Sequence, residues 1–289
     1  MNEDVLHQER TTNWRQTSST RIAGPDEAAE IIDELSIVTV YPVSPEVPNL
    51  YQAFVGDPNA KTDSGHSTPS GEVYSWRWVL GRRRAGFYGV VVRGKPTFVC
   101  WSLLPSLLRA HDDLRSPTEL YDAGQLSANA LRIAEALEGE GGVLSTGELR
   151  RAAGFPTGKA ERSAYLKAVQ ELDSRLLVAK EFTTENDDMG HALVTSLYPD
   201  VVAAARELSL DEAIRAILDA YLPHARYILP QVLARHLRIA HWDLDRNLSR
   251  LVAEGGAKNT TLGGNKQVCA VSLVPYERRI QRIASPPIK

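Results

Sequence analysis

The chain has 289 residues, 43% of them hydrophobic and 24% charged, the proportions of an ordinary globular protein, with room for about two domains of 100–200 residues or three smaller ones. Nothing approaches the roughly 18 consecutive apolar residues of a membrane span. Cys100 and Cys269 each sit in an apolar strand-like run, which suits buried thiols in a reducing cytoplasm better than a disulfide framework or a zinc site. The net charge of −3 speaks mildly against a nucleic-acid partner, but the charge is segregated: ten acids against three bases over Met1–Ala60, six bases and no acid over Arg77–Lys95, and seven bases against three acids over Arg226–Lys266.

Residues 1–21 lack the basic-then-apolar order of a signal peptide and read as a disordered lead-in. In the segment 22–112, Pro25 opens a helix with Ala28, Ile31, Ile32 and Leu35 on one face, and Ile37–Tyr41 is a short strand. Leu50–Val55 is a brief helix, Asp57–Ser70 a polar loop, and Glu72–Arg84 a helix bearing Trp76 and Leu80. Phe87–Val92 and Thr97–Trp101 then pair across Arg93-Gly-Lys-Pro96. The leucine-rich Ser102–Ala110 packs this segment on its neighbour.

The next segment, 113–200, begins its ordered part at Ser127, before Ala130, Ile133, Ala134 and Leu137. Ser145 with Glu148 forms a capping box for a second helix, and a third runs from Lys159 to Ser174. Leu176–Phe182 and His191–Tyr198 read as strands joined by a polar tip, Thr183–Gly190. The segment 201–275 repeats the plan. Ser209 and Glu212 cap a helix lined by Ala213, Ile214, Ile217, Leu218 and Tyr221; Pro230 opens the second; Asp243 caps the third, with Leu244, Leu248 and Leu251 inward. Lys258–Thr261 and Val268–Leu273 form the hairpin, and 276–289 is a tail. Three helices followed by a two-stranded ribbon is the winged-helix order. The expected fold is therefore α+β and helix-rich, made of tandem winged-helix units, the front one degenerate.

Leu35-Ser-Ile-Val-Thr-Val-Tyr-Pro-Val43 after an amphipathic helix, and Cys100-Trp-Ser-Leu-Leu-Pro105 after a hairpin, resemble landmarks of the AlkZ/YcaQ DNA glycosylases. The resemblance covers most of Ile22–Leu273 and implies winged-helix units wrapped around DNA, with double-stranded DNA as partner. In those glycosylases the strand carries Gln-x-Gln or Gln-x-Asp, which positions the hydrolytic water. Here the two positions are Thr39 and Tyr41, hydroxyls that are poor bases near neutral pH. The paired histidine found just downstream in the glycosylases has no counterpart before Ala60. The fold carries over; the usual activity does not.

The candidate DNA contacts are Arg77, Arg82, Arg83 and Arg84 on the front unit's third helix, and Arg93 and Lys95 on its hairpin. Lys159, Arg162 and Lys167 join them from the middle unit's third helix, and Arg246, Asn247 and Arg250 from the last unit's. Trp76 is expected in the core and Trp78 partly exposed. The histidines show no metal-ligand spacing, so neither metal nor cofactor is expected, and a monomer is favoured. Two rival readings remain: an active glycosylase using Tyr41 with an acid from elsewhere, or a winged-helix regulatory or protein-interaction module.

Overall fold

In the computed structural model, which describes residues 3–111, 114–140, 142–182 and 189–270, the chain starts with a helix, α1 (Glu3–Asn13). The middle wing tip at 183–188, the acidic pairs Asp112-Asp113 and Asp187-Asp188, the strand end Val271–Leu273 and the tail 276–289 lie outside the described residues.

The front unit opens with α2 (Pro25–Leu35). Proline stands in its first turn beside Asp26 and Glu27, as the orphan amides and dipole of a helix start favour. Its buried face is Ala28, Ile31, Ile32 and Leu35. There follow β1 (Ile37–Thr39), α3 (Leu50–Val55), α4 (Pro69–Arg82), β2 (Phe87–Val90) and β3 (Pro96–Val99). The β2–β3 turn is tight, with Arg93 and Gly94 at φ 50° and 72°. Two connecting helices, α5 (Leu104–His111) and α6 (Pro117–Asp122), lead to the middle unit. That unit contains α7 (Ala128–Glu140), α8 (Thr146–Ala152), α9 (Lys159–Ser174), β4 (Val178–Phe182) and β5 (Met189–Leu193). After α10 (Val194–Leu197) and α11 (Pro199–Glu207), the last unit runs through α12 (Leu210–Ala225), β6 (Tyr227–Ile228), α13 (Pro230–Leu237), α14 (His241–Ala253), β7 (Ala257–Leu262) and β8 (Asn265–Ala270).

Among the described residues these three segments share one topology. The front sheet is ordered β1-β3-β2 and the last β6-β8-β7, all antiparallel. In the middle unit a single bridge, Leu144 to His191, takes the place of the first strand beside β5 and β4. Each unit is thus a three-helix array closed by a hairpin, the winged-helix arrangement, and the fold is α+β with small sheets. The capping boxes at Ser145–Glu148 and Ser209–Glu212 are both formed.

The cores do not divide as the units do. One buried cluster runs through the front and last units, joining Leu35, Trp76 and Leu107 to Ile217, Leu218 and Leu244. Helix α5 lies in this seam against α12 and α11, so Ser102–Ala110 packs mainly on the last unit. The middle unit has its own cluster around Leu120, Ile133, Leu137, Leu149 and Leu172.

Four local expectations are corrected. The lead-in is ordered over α1, because Arg10 is buried: it donates to the Ala225 carbonyl at 2.7 Å, pairs with Glu46 at 3.3 Å and stacks 3.4 Å from the Tyr227 ring centroid. Leu6 packs on Leu262 of β7 beside it. The strand expected over His191–Tyr198 ends at Leu193, where the chain turns into α10. The helix expected over Glu72–Arg84 starts earlier, at Pro69, because Thr68 caps it, and ends at Arg82. Asp243 is not a cap: α14 begins two residues before it, and its carboxylate binds Arg246 at 2.7 Å.

Candidate nucleic-acid interface

The end of β1 places Thr39 and Tyr41 beside α4. Thr39 is fully buried, and its hydroxyl donates toward the Tyr41 carbonyl (2.8 Å) and the Pro48 carbonyl (3.2 Å). The Tyr41 hydroxyl donates to the Ser70 carbonyl at 2.8 Å, and burial together with the neighbouring Tyr74 raises its pKa above the ordinary value. Both hydroxyls donate to backbone carbonyls, and neither can deprotonate a water near neutral pH. Asp63, from the polar loop, also faces Tyr41. Its carboxylate accepts from the Ser70 amide at 3.3 Å, and hydrogen bonding to Ser70 holds its pKa low. It is an ionised staple of the loop, brought there by a fold contact that the sequence did not announce.

The arginines of α4 divide. Arg77 is 8% exposed. Its guanidinium lies 3.3 Å from the Tyr74 centroid and 4.8 Å from that of Trp78, and donates to the Tyr74 carbonyl at 3.0 Å. This corrects its placement on a phosphate-facing surface; cation–π stacking is its occupation. Arg82 is half-buried, 5.9 Å from the Trp78 ring. Arg83 pairs with Asp26 of α2. Arg84, at φ 50°, pairs with Glu181 of β4 at 2.9 Å. Trp76 is core and Trp78 half-buried, edge-on to Phe182 at 5.5 Å. Gly81 admits that phenyl ring: a Cβ there would stand 2.2 Å from it. Of the triple arginine, Arg84 joins the front unit to the middle wing, and Arg83 ties α4 to α2.

The last unit's third helix is likewise spoken for. Asp211 accepts from Arg246 and Arg250 at 2.6 Å each and from Asn247 at 3.1 Å. Those hydrogen bonds hold the Asp211 carboxyl well below the usual carboxylate range. Asn247 is 2% exposed. This corrects the placement of Asn247 toward a groove; Arg246 and Arg250 remain 44% and 54% exposed while they tie α14 to the start of α12.

What stays outward without an ion pair is a different set. Arg93 and Lys95 are exposed on the front hairpin, and Lys159, Arg162 and Lys167 along α9. Among the described residues none of these five has an ion-pair partner. The sequence reading passed over Arg235 and Arg238, both exposed at the turn between α13 and α14. The front hairpin's turn packs against α13, bringing Arg93 into the same field. The buried His236 records it: burial, then the charges of Arg93 and Arg235, lower its pKa to about 4. Only the packing of the first unit on the last assembles this cluster. The one available signal was two arginines flanking a helix end.

Behind α9, a polar network fixes the base of the middle wing. Lys180 on β4 binds Asp173 at 2.8 Å and His191 Nδ1 at 3.0 Å, and His191 Nε2 lies 3.1 Å from the Thr146 hydroxyl. Burial first, and the lysine charge second, push His191 down to about 3. The ring is neutral, with Nδ1 accepting from the ammonium and Nε2–H donating to Thr146. Among the described residues no group of three or more His, Cys, Asp or Glu is placed to hold a metal, and no helix is long and apolar enough to cross a membrane.

Residues 22–227 match the family described as AlkZ related, more than half of the chain. The chain belongs to that family. The solved structure of the Streptomyces sahachiroi DNA glycosylase AlkZ is similar in fold, with a TM-score of 0.54 at 14% identity; the match covers 91% of this chain and 70% of that one. No curated protein matches the chain in sequence. The AlkZ-related chain thus shares the fold of that glycosylase.

Proposed function

We propose that this AlkZ-related protein binds double-stranded DNA through backbone contacts and does not excise bases by the glycosylase route. The observation that carries the reading is the unpaired, outward row Lys159, Arg162 and Lys167 on α9, the helix that enters a groove in DNA-binding winged helices. Arg93 and Lys95 extend the positive surface from the front hairpin. These cations are assigned to phosphates, so that phosphate and shape dominate over sequence. We assign the units the boundaries 22–112, 113–200 and 201–275.

The loss of excision rests on Thr39 and Tyr41, whose hydroxyls are spent on backbone carbonyls. A titration of labelled duplex at several salt concentrations, with a parallel assay for abasic sites on alkylated DNA, tests both halves. Salt-dependent binding without abasic product is the expected result; absence of binding at low salt removes the reading.

A further inference from the structure

Trp242 is 71% exposed, more than any other large hydrophobic side chain among the described residues. It is the second residue of α14. The inward stripe Leu244, Leu248 and Leu251 faces the core, and Trp242 stays outside it, with no ring stacked on it among the described residues. An indole left in water forgoes about 2 kcal/mol or more of burial, so its surroundings decide what it is for.

Arginines stand in the turn and helix that lead into Trp242. Arg238, in the left-handed turn just before α14 at φ 53°, is exposed and uses one nitrogen on the Ser174 carbonyl at 2.7 Å, leaving its other donors outward. Arg235 lies one turn earlier, exposed and with no ion pair among the described residues. Arg93 arrives from the front hairpin packed on α13. Of the nearby acids, Asp243 pairs with Arg246 at 2.7 Å, and Asp245 lies 3.2 Å from His241 Nδ1. An exposed aromatic that follows arginines with no ion pair among the described residues matches neither an apolar peptide groove nor a basic protein surface. It matches a nucleobase with its phosphates, because stacking needs only a π-face and the flanking backbone needs cations.

We propose that Trp242 is a stacking platform for an unpaired base, with Arg93, Arg235 and Arg238 holding the adjacent phosphates, so that the protein prefers DNA containing unpaired nucleotides to intact duplex. This rests on the DNA-binding reading above. A paired base shows its face only to its neighbours in the stack, so Trp242 can engage one only where the stack is opened.

The test is fluorescence anisotropy of the full chain with three labelled probes: an intact duplex, the same duplex with a gap of three nucleotides, and the single strand. The parent is expected to bind the gapped probe about tenfold more tightly than the intact one, the size that one stacked base supplies. Trp242→Ala should abolish that preference while leaving intact-duplex affinity within about twofold; Trp242→Phe should retain most of it. Arg235→Ala should weaken all three probes and make the salt dependence shallower. Equal binding of gapped and intact probes, or a preference that survives Trp242→Ala, overturns the stacking site while leaving DNA binding standing. No binding of any probe instead fells the reading on which it rests. Unchanged thermal unfolding of Trp242→Ala checks that the variant is folded, as its exposure leads one to expect.

Discussion

Arg84 Nη2 and Glu181 Oε1 meet at 2.9 Å, tying the residues just after α4 to the strand that carries the middle wing. Both side chains are mostly covered, at 16% and 23% exposure, and the Arg84 carbonyl also accepts from the Trp101 indole at 2.7 Å. The contact fixes how two units sit together, a duty distinct from phosphate binding.

Removing it should therefore show in stability. Arg84→Ala is expected to cost about 1–2 kcal/mol in urea denaturation, the range for a charged hydrogen bond that is partly shielded from water. Glu181→Ala should cost less when added to it than when made alone, giving a coupling of about 1 kcal/mol in the double-mutant cycle. The salt dependence of DNA binding should not change. Additive losses would mean that the pair is a solvated surface contact.

The β1 positions make a second prediction. Tyr41→Phe should lower stability by about 1 kcal/mol through the lost bond to the Ser70 carbonyl, with abasic-site formation at background before and after. Installing the glycosylase residue by Thr39→Gln should destabilise by about 1–3 kcal/mol, because that site is fully buried and its hydroxyl already satisfied. Abasic product that disappears in Tyr41→Phe would restore the active-glycosylase reading.

How far the sequence revealed this varies with the range of the contacts. Elements whose signal is local were legible. Both capping boxes, the proline-opened helices and the leucine stripe of α14 formed where periodicity put them. Elements held from afar were not. Helix α1 has no clean apolar stripe, and its order comes from Arg10 reaching Ala225 and Tyr227, more than 200 residues away. The site suffered most. Counting bases along the chain cannot show that Arg77 stacks on Tyr74, or that a single Asp211 engages three side chains of α14. The exposed set of Arg235, Arg238 and Trp242 emerged only once those pairings were known.

Acid should loosen the middle wing first. His191 has a folded pKa of about 3, below the unfolded value near 6.5. The unfolded chain therefore binds more protons between those values. The sign follows: the contribution is fully present above about pH 6.5 and is lost as the pH falls toward 3. His236, lowered to about 4, acts in the same sense from the last unit. Denaturation midpoints at pH 7, 5.5 and 4.5 should decline steadily. His191→Gln should start lower at pH 7 and decline less. An identical slope in that variant would place the acid sensitivity elsewhere, in the carboxylates.

The exposed row on α9 yields the prediction on which the DNA reading stands. Lys159, Arg162 and Lys167 are outward and without ion-pair partners among the described residues, so each can neutralise a phosphate and release its condensed counterion. The log–log dependence of affinity on salt should then have a slope of about −0.9 per phosphate contacted. Arg162→Ala with Lys167→Ala should make that slope shallower by roughly one to two and weaken every duplex sequence about equally. Arg93→Ala with Lys95→Ala should do the same from the hairpin. Arg246→Ala with Arg250→Ala should instead leave the slope unchanged and lower stability, since both side chains are spent on Asp211. The two kinds of variant thus separate a nucleic-acid surface from an internal scaffold. If the α9 pair binds DNA as the parent does while remaining folded, the row is a solvated helix face. The protein-interaction reading of this winged-helix protein would then take precedence.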